Sequence, residues 1–122
     1  MDLFNRNSKP QTGVLFGGNS GNAMLVIEIP GDTINDQYFI VDGPSTATGY
    51  MRSGDNTIAF RLSSGSYRIK SASGKGWKGE RDLFETDCIK SSTDVFQIEA
   101  GSAAKITLQR VSGGNLGSHA GW

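Results

Sequence analysis

Apolar and polar residues alternate along this chain in short runs, and the runs are cut by Gly, Asn, Asp and Ser. "TIAFRL" is the cleanest case, with Ile58, Phe60 and Leu62 on one side and Thr57, Ala59 and Arg61 on the other. "SYRIKS" repeats it, Tyr67 and Ile69 facing one way and Arg68 and Lys70 the other; "AMLVIEI" does so through Leu25, Ile27 and Ile29. "VFQIE" and "AKITLQRV" follow with Phe96 and Ile98, then Ile106 and Leu108, while "GVLF", "QYFIV" and "TATGYMR" are further short apolar or alternating runs. A period of two puts every second side chain on one face of a strand. No glycine-free window of about eleven residues carries the helical spacing.

The pattern predicts an all-β chain of about seven to nine strands at a spacing of roughly 8–12 residues. One wet face per strand implies antiparallel sheets, and an apolar face needs a second layer or closure. The expected fold is therefore an antiparallel β-sandwich or a small barrel. A single domain spans 13–111, with a flexible N-terminal segment at 1–12 and a flexible Gly/Ser-rich tail at 112–122. "GERDLFETDCIKSS" fits neither period and is the one candidate for a helical turn. "SASGKGWKGE", residues 71–80, reads as a corner between strands, its glycines at 74, 76 and 79 permitting positive φ.

Composition narrows the function classes. Twelve Lys and Arg balance twelve Asp and Glu, which argues against nucleic acid, whose binders carry a basic excess, and gives no pull toward an anionic membrane. The 17 glycines suit many turns. The longest apolar run, "AMLVI", is far short of the roughly 20 residues of a membrane span. The first residues lack the basic start and apolar run of a signal peptide, and a single cysteine, Cys88, cannot form a disulfide within the chain. A soluble, cytoplasmic protein is expected.

Chemistry has little to build on. One His (His119, in the tail) and one Cys are too few for zinc. Asp32, Asn35 and Asp36 lack the EF-hand spacing and read as turn caps. Lys75 does not complete a phosphate-binding loop, because Gly76 stands where the hydroxyl belongs and no helical pattern follows. Cys88 follows Asp87, whose charge disfavours a thiolate, so a half-buried inert thiol is expected. Glu80, Asp82, Glu85 and Asp87 could pair for acid–base work, but the interleaved Arg81 and Lys90 favour a solvated face. No catalytic residue, metal or cofactor is assigned. The candidate binding residues are Trp77 flanked by Lys75 and Lys78, with Tyr50 and Tyr38 as further stacking platforms. Trp77 either folds back over the core rim or stands out as an anchor.

Two segments resemble the closing half of bacterial PEGA-like and carboxypeptidase-regulatory-like modules of prealbumin type. "FRLSSGSYRIKSASGKG" is similar to their strand-turn-strand at Leu62, Gly65, Tyr67 and Ile69, with Ser64 where the usual proline stands. "FQIEAGSAAKITLQ" is similar to their final hairpin at Phe96, Ile98, Gly101, Ile106 and Leu108. The resemblance implies an interaction or scaffold module. The leading expectation is a non-enzymatic protein-binding sandwich, self-associating as a homodimer through an edge strand, with "TATGYMR" and "AKITLQRV" as the edges. A small-ligand or carbohydrate-binding sandwich using Trp77 is the alternative, and an enzyme built on the 80–88 acids is a remote third.

Overall fold

Each alternating run forms a strand. The computed structural model describes residues 10–30, 35–108 and 119–120. Among these the order is β1 (Gly13–Phe16), β2 (Ala23–Glu28), β3 (Asp36–Asp42), β4 (Ala47–Met51), β5 (Thr57–Leu62), β6 (Gly65–Trp77), β7 (Phe84–Ser92), β8 (Phe96–Ile98), β9 (Ala103–Thr107) and β10 (His119–Ala120). The chain is all-β, with two sheets that do not close into a barrel, consistent with a sandwich. No helix among the described residues is long and apolar enough to cross a membrane. The expected N-terminal segment lies outside the described residues up to position 9, and the tail does so apart from β10.

The larger sheet runs β1-β4-β3-β6-β7-β10, with β8 also on β6; the smaller runs β5-β2-β9. β6 organises the larger sheet. Along one side it pairs with β3 from Arg68 to Gly74; along the other, β8 meets Gly65–Tyr67 and β7 meets Lys70–Trp77. β8 thus continues the line of β7 along the same strand. Between the layers lie Leu25 and Ile27 of β2, Phe39 and Val41 of β3, Phe60 and Leu62 of β5, Tyr67 and Ile69 of β6, and Ile98 of β8. Burying each large apolar side chain contributes about 1.5–3 kcal/mol. Tyr67 keeps its polar end satisfied by donating its hydroxyl to the Ser63 carbonyl at 2.7 Å, which ties down the turn from β5 into β6.

Several expectations need correction. β9 pairs with β2 in parallel, so the sheets are not wholly antiparallel. The segment expected to form a final hairpin divides instead, β8 joining the larger sheet and β9 the smaller. "TATGYMR" is not an edge, since β4 lies between β1 and β3. Residues 71–77 form no corner; they are the second half of β6, bulged between Ser73 and Lys75. The corner comes later, where Lys78 N–H donates to the Leu83 carbonyl and Leu83 N–H to the Gly79 carbonyl, each at 2.7 Å. The supposed helical turn is this corner followed by β7.

Candidate functional site

Because Phe39 and Val41 face the sandwich core, the alternation of β3 turns Tyr38 and Ile40 to the opposite face of the larger sheet. There a second apolar cluster forms from Tyr38, Tyr50, Ala72, Leu83 and Phe84, with Leu15, Ile40 and Trp77 packed against it. Register brings its members together: Tyr38 stands opposite Tyr50 on one flank and Ala72 on the other, and Trp77 stands opposite Phe84. The Trp77 ring lies 4.8 Å from Tyr50 edge-on, 5.4 Å from Tyr38 and 5.3 Å from Phe84, within the range of favourable aromatic pairs.

The hydroxyls of the cluster are held by carboxylates. Tyr38 donates to Glu80 Oε1 at 2.8 Å, and Tyr50 donates to Asp36 Oδ2 at 2.5 Å. Asp36 also accepts the Ser53 N–H at 2.7 Å. Burial pushes both phenols well above their ordinary range, and the hydrogen bond and negative charge of the partner carboxylate push the same way. These tyrosines are neutral donors locked to fixed acceptors.

Of the candidate binding residues, Trp77 is half-buried and folded onto the sheet, while Lys75 and Lys78 are exposed beside it. Tyr50 is 0% exposed and Tyr38 only 2%, so neither is a stacking platform open to a ligand. Their rings are covered by Trp77 and by the corner that carries Leu83. Cys88 is exposed rather than half-buried. Glu80 is engaged by Tyr38, and Asp82 and Glu85 are exposed. Among the described residues, no group of three or more His, Cys, Asp or Glu stands close enough to hold a metal ion; Asp32 lies outside them.

The sheet edges differ in how they are guarded. β1 is bulged between Val14 and Phe16. β7 faces a register break and takes β10 on Ser91 and Ser92. β5 is bridged at Arg61, whose N–H donates to the Gly18 carbonyl at 2.7 Å. Bulges and covering segments are the usual protections of an edge. β9 is different: its register with β2 is unbroken from Ala103 to Thr107, as that of β5 is, but no strand or bridge among the described residues reaches its far side. Ser102 offers its carbonyl to Met24 N–H at 3.0 Å, and Leu108 gives its N–H to Glu28 at 2.8 Å. Even-numbered residues therefore turn their backbone groups toward β2, and Ala103, Lys105 and Thr107 turn theirs away. The alternation of "AKITLQRV" signals this strand, which was also expected to be an edge and is one among the described residues; its parallel partner leaves no mark in the sequence. Comparison with known protein families, curated proteins and solved structures finds no match to this chain.

Proposed function

We propose that the protein is a non-enzymatic β-sandwich module that recognises a protein partner by strand addition at β9. The observation that carries this reading is the regular far side of β9, which no strand among the described residues pairs, beside three edges that are bulged, bridged or covered. Main-chain groups pointing outward at alternate residues are what an added strand pairs with. Lys105, the one charge on this strand, leans onto Glu28 at 3.1 Å instead of standing free across the edge. The resemblance of "FRLSSGSYRIKSASGKG" to the strand-turn-strand of PEGA-like modules supports the same reading, while the segment likened to their final hairpin divides between the two sheets.

A synthetic peptide copying residues 103–108 is the probe. It binds the wild type, and Lys105→Pro abolishes binding, because proline removes an outward N–H while leaving the bonds to β2. Lys105→Ala keeps binding and so controls for the lost ion pair. A peptide that fails to bind the monomeric wild type, or binds all three proteins alike, rules out strand addition at β9.

A second reading rests on Trp77, which stays half exposed between Lys75 and Lys78 over two tyrosines. This reading is a small-ligand or carbohydrate contact, tested by titrating Trp77 fluorescence with sugars.

A further inference from the structure

The chemistry of β9 also selects its partner. Resting on the strand-addition reading, we infer that the added strand is β9 of a second copy of this chain, antiparallel to the first about a two-fold axis at Ile106. Pairing of identical strands is isologous, so only the position of the axis is open. Outward backbone groups sit on Ala103, Lys105 and Thr107, so the axis falls on one of the residues from 103 to 107. An axis at Ala103 or Thr107 sets only that one residue against an outward residue of the other β9, where an axis at Ile106 sets two, which leaves positions 104, 105 and 106. An axis at Lys105 sets two ammonium groups directly opposite, which destabilises a strand pair.

An axis at Ala104 places Ser102 against the partner copy's Ile106 and leaves that apolar side chain beside a polar one. An axis at Ile106 avoids both faults. Lys105 then faces Thr107 of the other copy through a hydrogen-bonded pair, and Glu28 stands next in line, since Thr107 is in register with Glu28. Lys105 of each copy is thereby placed between its own Glu28 and that of its mate, so opposite charges alternate across the seam. On the other face Ile106, half-buried in the single chain, meets its own equivalent, and Ala104 meets Leu108. The half-buried apolar side chains of β9 become the continuation of two cores.

The register has a covalent readout. Residues facing each other at a non-hydrogen-bonded position of an antiparallel pair have Cα atoms about 4.5 Å apart, within the reach of a disulfide. In a Cys88→Ser background, Ile106→Cys crosslinks to a dimer under oxidised glutathione. Ala104→Cys and Lys105→Cys do not crosslink to themselves, because each then lies diagonal to or farther from its equivalent. A mixture of Lys105→Cys and Thr107→Cys chains leaves Ile106 intact and crosslinks as a directly opposed pair, which covers the case in which Ile106→Cys fails to fold. Crosslinking through Ala104→Cys or Lys105→Cys alone overturns the register. Light scattering that shows a monomer at every concentration, with no crosslink from any variant, overturns the second copy as partner. Binding of the 103–108 peptide then still stands as evidence for the edge, so the two failures are told apart.

Discussion

The hydroxyl of Tyr50, on β4, donates to Asp36 at the start of β3, and both residues are buried. The same carboxylate accepts the Ser53 N–H from the turn that follows β4, so one side chain fastens two strands and a turn. Removing the donor leaves a buried carboxylate short of a partner, which costs about 1–3 kcal/mol. Tyr50→Phe is expected to lose that much in urea unfolding. Tyr38→Phe is expected to lose less, because its acceptor Glu80 is exposed and water replaces the phenol. Equal losses, or the reverse order, contradict the distinction between the two pairs.

Both phenols also make stability depend on alkaline pH. Their folded-state affinity for the proton is raised, first by burial and then by the hydrogen bond and charge of the facing carboxylate. A raised value in the folded state stabilises fully below the ordinary phenol value of 10.0 and is lost as pH rises above it. The melting temperature is therefore expected to show no loss from this source up to that pH and to fall beyond it. Phenolate absorbance from Tyr38 and Tyr50 should appear together with unfolding. Ionisation of both at ordinary pH in a folded protein is the contrary result.

Gly49 shows how closely the two layers meet. It sits in β4 with no positive φ, and a β-carbon there would come within 2.7 Å of both Ile58 Cδ1 and Phe60 Cζ across the core. The glycine leaves room for the ring. Gly49→Ala overpacks the site, at a cost of about 1–3 kcal/mol. Phe60→Leu in the same chain removes the ring that clashes, so the double variant is expected to lose less than the sum of the two. Additive losses indicate that Phe60 does not oppose Gly49.

The reach of the sequence follows from what each strand buries. β5 and the first half of β6 were legible because one face of each meets the core, and Phe60, Leu62, Tyr67 and Ile69 advertise it. The second half of β6 was not. Its residues are small where alternation would show: Ala72 lies under the aromatic cluster, and Gly74 is packed so tightly that a β-carbon would meet Phe84 Cβ at 2.7 Å. That segment is a strand because β3 and β7 pair with it on both sides, which no local pattern records. Tyr38 and Tyr50 read as available for stacking because the sequence does not reveal that the chain covers its own outer face with the corner carrying Leu83. β9 was legible as a strand and as an edge, yet alternation is the same beside a parallel partner as beside an antiparallel one.

Trp77 decides between packing and presentation in a measurable way. Its ring touches Tyr38, Tyr50 and Phe84, and it shares the covering of this cluster with the corner that carries Leu83. If packing is its role, Trp77→Ala loses about 3 kcal/mol, the low end for a buried aromatic because the ring is half exposed. Trp77→Phe then recovers most of the loss. Lys75→Ala and Lys78→Ala, at exposed positions, stay within about 0.5 kcal/mol of the wild type. The comparison is made by denaturant unfolding of all four variants. A ring serving only as an anchor for an outside ligand gives the opposite picture: Trp77→Ala as stable as the wild type, and every effect confined to binding.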